Sequence, residues 1–387
     1  MISFFQYLTE AKSKAIPHLS HLGGEEHLYG KDRANDEMSR MEDMSKYFKG
    51  EKSNVDTVGI KADGSPSFEM GHVVNPHTDK REFGVAYKGA AKGYAFSQSD
   101  VNRMFGHNEH LKSKMSQLLE HGHKIVGPIH GVIQGDFMGS KKDGTIKKEG
   151  NEVTHKENLI KYHYPANSDE GKELQKAKIS VSLHTRIDKE NPEYNIDTKK
   201  LHEHPDVHVF NNKLNKENVH YTPEDDKEYQ SNMDKAKKSL GKIKNHDELV
   251  EGHSEHLQTY INKTVREGTA PSASGYKKHL HEKLMKEVDK VSREDTKKRK
   301  KEHAESMAED VENNKEDFTH LFTAHKHLDK AKNVFLRTLE NSGQNQKHTI
   351  NGVSTKPEGF VVSYKDGNPR KIVNRSKEGF SGQNLNK

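Results

Sequence analysis

The sequence predicts an α+β protein in which a strand-rich domain is interrupted by a long helical insertion. Three observations carry this. Short apolar or alternating runs, punctuated by Gly, Pro, Asn and Asp, fill residues 55–100 and recur to about 187. Between about 222 and 345 such runs vanish, and apolar residues recur at helical spacing instead. From about 346 the strand pattern returns. Strands, helices, strands is most simply one domain split by an insertion. The division read from this is 1–50, a helical N-terminal segment; 51–194, the first part of the strand domain; 195–345, a mainly helical insertion; and 346–387, the last strands.

Taken in order, "MISFFQYLTEAKSKA" has a short apolar start with no basic region before it and no cleavage site, so it reads as an amphipathic helix and not a signal peptide. "HLGGEEHLYG" reads as a loop. "TVGIKA", "PSFEMGHVV", "EFGVAYKG" and "GYAFS" read as strands. The stretch 97–124 reads as helical, with Leu111, Met115, Leu118 and Leu119 on one face. "IHGVIQGDFMG" is a strand, "KKDGTIKKEGNEV" a hairpin, and "NLIKYHYP" and "KISVSLHTRI" two strands flanking the helical "SDEGKELQKA". In the insertion, Leu257, Ile261 and Val265 mark one helix. Leu280, Leu284, Val288 and Val291 mark a second, with Ser274 as its N-cap. Phe318, Phe322, His325, Leu328, Lys332, Phe335 and Leu339 mark a last long one. "HTINGVS", "EGFVVSY" and "RKIVNR" close the chain as strands, with "KDGN" a turn.

Hydrophobic residues make up 30% of the 387 and charged residues 32%, so such a chain buries a core only in places. With no cysteine there is no disulfide and no thiolate metal site. No run approaches the roughly 18 apolar residues of a membrane span. A cytoplasmic location is therefore expected, in the host cell if the chain is phage-encoded. The net charge of +5, from 64 basic and 59 acidic residues, permits a nucleic-acid partner without demanding one. The basic run 297–301, "KKRKK", reads as a solvated helix face. His202, His204 and His208 near Asp206 have permissive spacing for zinc, but 27 scattered histidines produce such triplets by chance.

The chemistry centres on "VGIKADGSPSFEMG", 58–71, where Lys61 precedes an Asp63-Gly64 pair. A lysine near its ordinary pKa of about 10.4 is protonated and not nucleophilic at neutral pH. Used as a nucleophile toward a nucleotide phosphate it needs cations or desolvation around it, and carboxylates to hold a metal. Later strands offer such groups: Lys88 in "VAYKGAAKG", Asp136 in "IQGDFMG", Glu358 in "KPEGFVVSY", and Arg370 and Lys371 in "PRKIVNR".

These motifs, in this order, resemble those of the covalent nucleotidyltransferases: ATP-dependent DNA ligases, RNA ligases and mRNA capping enzymes. "KADGS" is most similar to the RNA ligases of phages. "GDFMG" resembles the family's Gly-Glu motif, "EGFVV" its next motif, and "RKIV" its last lysine motif. The likeness covers roughly 50–190 and 346–380. It implies an antiparallel-sheet adenylation domain that uses ATP and Mg²⁺. Lys61 would attack the α-phosphate and carry AMP, joining or adenylylating nucleic-acid ends, with RNA favoured over DNA. Asp63 and Gly64 would shape the turn behind the nucleophile. Asp136 and Glu358 would serve nucleotide and metal. Lys371 would contact the α-phosphate and depress the Lys61 pKa, with Arg370 as helper, and Lys88 would meet the nucleotide or an acceptor phosphate. Phe137, Tyr162 and Tyr164 are candidates for stacking on adenine.

The sequence departs from the pattern at Asp136, where the family has Glu, and at Val373, where a second lysine is usual. No C-terminal OB domain is expected after the last motif, which would leave the acceptor to the helical part. Each motif alone is a common turn or strand charge, and their combination and order carry the reading. Two alternatives stand beside it: a catalytically degenerate nucleotidyltransferase fold that binds nucleic acid or protein, and a structural or packaging-associated phage protein. Transfer to a protein side chain would share the same first half-reaction.

Overall fold

A computed structural model describes residues 19–187, 193–194, 196–342, 347–377 and 379. The expected N-terminal amphipathic helix lies outside them. In chain order the elements are α1 (Lys31–Phe48), β1 (Val55–Lys61), β2 (Ser67–Asn75), β3 (Lys80–Tyr87), α2 (Gln98–Phe105), α3 (Glu109–His121), β4 (Val132–Ser140), β5 (Ile146–Glu149), β6 (Glu152–His155), β7 (Lys161–Pro165), α4 (Asp169–Lys176), β8 (Ile179–Ile187), β9 (Glu193–Tyr194) and β10 (Val207–Val209). Six helices follow: α5 (Pro223–Leu240), α6 (His246–Val250), α7 (Ser254–Glu267), α8 (Ala273–Asp289), α9 (Glu294–Asn313) and α10 (Lys315–Glu340). The chain then forms β11 (Lys347–Ile350), β12 (Val353–Thr355), β13 (Gly359–Tyr364) and β14 (Arg370–Val373). The class is α+β, as expected.

The chain divides into two compact units. The first contains the described residues of 1–19, 56–216 and 343–369, and the second those of 20–55, 217–342 and 370–387. The helical part therefore begins at 217 rather than 195. Residues 20–55 and the last strand group with the helices. The reason for the first shift is pairing: Val207–Val209 aligns in parallel with Ile179–Val181, so 196–216 belongs with the strands.

In the first unit, one sheet runs β10-β8-β4-β2-β3 with β9 on β8, and another runs β12-β11-β7-β6-β5. Nearly all neighbours are antiparallel. β1 lies beside β13, and its other side is bound by 212–214, where the Ile60 N–H donates to the Asn212 carbonyl and the Leu214 N–H to Val58. One face of the β8-β4-β2 sheet is apolar. Phe68 and Met70, Ile133 and Phe137, and Val181 and Leu183 join Val101, Phe105, Met115 and Leu118 from α2 and α3 in the core. Burying such side chains stabilises each by roughly 1.5–3 kcal/mol.

The helical stretch expected over 97–124 is two helices and not one. Ser97 and Asp100 form a capping box for α2, and Asn108 accepts the Leu111 N–H to start α3. "GYAFS" contributes only an isolated bridge, Val85 to Ala95.

In the second unit, α5 starts at a Thr222–Asp225 capping box with Pro223 in its first turn. α7 ends at Gly268 in the left-handed conformation. α8 is capped by Ser272, whose side chain accepts the Gly275 N–H, and not by Ser274, which lies inside the helix. Leu257, Ile261, Tyr276, Leu280, Phe318 and Phe322 make its core. The predicted face of α10 is buried, His325 and Lys332 included.

Candidate active site

The other face of the β8-β4-β2 sheet is polar. Ser67 and Glu69 on β2, Gln134 and Asp136 on β4, and Ser182 and His184 on β8 alternate with the core residues. Asp136 sits mid-sheet, opposite Ser67 on one side and Ser182 on the other. Register shifts in the β4–β8 pairing bracket it, between Gln134 and Gly135 and between Phe137 and Gly139. Such bulges re-aim side chains and recur beside active sites.

Lys61 ends β1 and leads into this face. Its side chain is about a third exposed, at 31%, and its ammonium forms an ion pair with Glu358, which immediately precedes β13. Asp63 is buried and fully engaged: its carboxylate accepts from Asn158 Nδ2 at 2.6 Å and from the N–H groups of Leu159 and Ile160 at 2.8 Å each. The Asp63 N–H donates to the Tyr162 hydroxyl at 2.7 Å. Gly64 is required by space: a Cβ there would come within 2.7 Å of the Asp136 Cβ and 2.8 Å of the Phe137 carbonyl. The Lys61 loop is thus pressed directly onto the strand that carries Asp136.

Asp136 accepts from the Ser67 hydroxyl and faces His184 Nε2 at 3.5 Å. Ser67 and His184 were missed in the sequence. The alternation Ser180, Ser182, His184 against Ile179, Val181, Leu183 was the available signal, since it marks a sheet with a second, polar face. The three side chains do not form a Ser-His-Asp nucleophile system, because the carboxylate and not the imidazole meets the hydroxyl.

The electrostatics correct one expectation. Burial alone would pull the Lys61 pKa down, but the Glu358 carboxylate, with Asp136 and Asp63, outweighs it and leaves the value raised. Burial, joined by Asp63 and Asp136, outweighs Lys61 at Glu358 and pushes that carboxyl above its ordinary value. For Asp136 burial is outweighed by His184, Ser67 and Lys61, and its carboxyl is lowered.

Lys88 lies just past β3, where its N–H donates to the Ser67 carbonyl at 3.1 Å. Glu69, buried on the polar face, holds the following loop by accepting from the Gly89 N–H at 2.8 Å and the Tyr94 hydroxyl at 2.7 Å. Arg370 and Lys371 belong to the second unit. There Arg370 pairs with Asp36 at 3.1 Å, and the Lys371 backbone bonds Ser20 and Leu22. The three aromatic candidates are all interior: Phe137 is in the core beneath Lys114, Tyr162 supports Asp63, and Tyr164 packs on His155. None offers a free ring face for a base. His208 bonds Ser180, His204 faces Asp206 at 4.0 Å, and His202 meets the His130 ring.

Among the described residues no three His, Asp or Glu side chains converge as a metal cage. The donors at Lys61 are instead two hard carboxylates, Asp136 and Glu358. That set suits Mg²⁺, which takes one or two carboxylates and completes its shell with water and phosphate oxygens. Gln134 Oε1, buried on the same face, has no hydrogen-bond partner among the described residues, an acceptor available to a ligand. Among the described residues no helix is long and apolar enough to cross a membrane.

A family model with the description "Family of unknown function (DUF6267)" matches residues 17–387, and the chain belongs to that family. No curated protein matches the chain. No solved structure matches it either.

Proposed function

We propose that the first unit is an ATP- and Mg²⁺-dependent covalent nucleotidyltransferase that carries AMP on Lys61 and passes it to a nucleic-acid end, RNA favoured over DNA. What supports this reading is the convergence of Lys61, Asp136 and Glu358, from positions far apart in the chain, on one polar sheet face. The resting Lys61 is an ammonium held by Glu358, so it must first leave that partner and shed a proton to solvent. Its Nζ lone pair then forms the N–P bond to the α-phosphorus while the bond to the pyrophosphate oxygen breaks. Pyrophosphate departs with that electron pair, and Nζ loses a second proton to give a neutral phosphoramidate nitrogen. Asp63 and Gly64 hold the Lys61 loop against β4 during this exchange. Mg²⁺, held by Asp136 and Glu358 with phosphate oxygens, would supply neutralisation of the developing charge. The part the resemblance assigns to Lys371 and Arg370 rests on their motif alone.

The test is intact mass spectrometry of protein stripped with pyrophosphate and then mixed with Mg²⁺ and ATP or GTP. One added AMP on the wild type, absent from Lys61→Ala of unchanged melting temperature, is the expected result. An adduct retained in Lys61→Ala removes Lys61 as nucleophile. No adduct with either nucleotide leaves a binding protein built on the same face.

A further inference from the structure

Within the second unit a cavity of about 630 Å³ opens between the end of α7, the loop 269–272, the start of α8, one face of α10 and residues 375–377. We propose that this cavity binds a small phosphorylated molecule with an aromatic or otherwise apolar body, the chemistry of a mononucleotide. The inference does not rest on the reading of Lys61.

Size comes first. The volume falls in the range of small-molecule sites, roughly 300–1,000 Å³, and exceeds what a lone inorganic ion needs. The walls are of two kinds. Ile261, Val265, Pro271 and Phe322 give an apolar side that suits a ring system and not a bare anion.

The other side is cationic. Lys326 and Lys330 stand one turn apart on α10, and Lys377 lines the same cavity. Two further cations there are already neutralised: Arg375 by Glu25 at 3.0 Å and Lys315 by Glu312 at 3.0 Å. Among the described residues the one carboxylate in the lining, Asp329, is taken by Lys332 at 2.5 Å. Lys326, Lys330 and Lys377 have no carboxylate partner among the described residues. Three uncompensated positive charges beside one cavity favour an anion.

Two neutral features point the same way. Ala273 and Ser274 open α8, so their N–H groups have no acceptor within the helix, and both residues line the cavity. His325, only 9% exposed, also lines it. Its Nδ1 faces His27 Nε2 at 3.1 Å, while its Nε2 has no partner among the described residues. His325 thus brings to the cavity a ring nine-tenths buried as a residue, with one nitrogen not hydrogen-bonded among the described residues.

The experiment uses full-length Lys61→Ala protein, so that covalent labelling cannot contribute. AMP, adenosine and inorganic pyrophosphate are titrated by calorimetry, and the imidazole resonances are followed by NMR. AMP is expected to bind at least tenfold more tightly than adenosine or pyrophosphate and to shift the His325 ring. The pair Lys326→Gln and Lys330→Gln, exposed positions that leave the fold intact, is expected to weaken AMP at least tenfold. Adenosine or pyrophosphate binding as well as AMP overturns the proposal. So does AMP binding that ignores the two lysine changes or leaves His325 unmoved, and so does no AMP binding at all.

Discussion

Lys61 and Glu358 illustrate how far a single residue's chemistry depends on its neighbours. In the ligand-free chain the lysine is stabilised as a cation, the opposite of what a nucleophile needs at the moment of attack. Under the proposed function this would be a resting state, in which the Glu358 carboxylate holds the ammonium until it is needed. Glu358→Gln removes the largest opposing influence and leaves burial, which lowers the pKa. The Lys61 pKa should therefore fall in that variant, below the wild-type value, as read from the side-chain Cε and Nζ resonances against pH. An unchanged Lys61 titration would mean that Glu358 does not hold it. The sign also sets the stability profile: a raised lysine pKa contributes stability below about pH 10.4 that is lost as pH climbs through the folded value.

At the scale of elements, α3 is tied to the loop after β4 by a buried charge network. Lys114, 1% exposed, bonds Asp143 at 2.7 Å and Glu157 at 2.8 Å, and its ammonium lies over the Phe137 ring. Burial would raise the Asp143 carboxyl, but Lys114, Gln117 and Ser140 outweigh it and lower it far below its usual range. Glu157, by contrast, is raised, since its burial outweighs the help of Lys114. Removing the cation strands a buried carboxylate. Lys114→Ala should cost about 3–5 kcal/mol in urea unfolding. Lys114→Met with Glu157→Leu should recover most of that, because a buried ion pair is often replaced by apolar groups without loss. A double variant as unstable as the single one would refute the buried-charge account. These elements carry the sheet whose opposite face holds Asp136, so the same variants report whether the site tolerates a softer support.

For the whole molecule the histidines matter most. In the first unit His155, His208 and His348 gather around Tyr162 and Tyr164. In the second, His27 bonds Glu37 at 2.8 Å and meets His325 and His246. Burial lowers His208 and His348 to about 4; burial, with His27 and nearby cations, lowers His325 to about 3. Below the ordinary histidine pKa of about 6.5 the unfolded chain takes up protons that these buried rings refuse, so stability falls as pH drops from there toward about 4. Melting temperatures at about pH 7 and about pH 4.5 should differ clearly, and His208→Gln should narrow the gap. A flat profile between those values would show that the rings are not held neutral.

Much of this was legible in one dimension because it is local. Alternation in 67–75 and 179–187, helical spacing in α10 and the turn chemistry of Asp63-Gly64 all act within a few residues, and the strand–helix–strand order follows from them. The motif residues Lys61, Asp136 and Glu358 could be nominated by type and order. Other features were illegible because their cause is non-local. The parallel pairing of 207–209 with β8 depends on a partner distant in sequence. So do the burial of Tyr162, Tyr164 and Phe137 and the joining of 20–55 to the helices. Above all, the motifs led one to expect Lys61 with a lowered pKa, whereas its ion pair with Glu358 leaves the pKa raised. Which charges meet across nearly 300 residues of chain, between Lys61 and Glu358 with a separation of 297, is decided by strand neighbours and not by sequence pattern. Electrostatic energy depends on distance in space, and only the tertiary structure sets that distance.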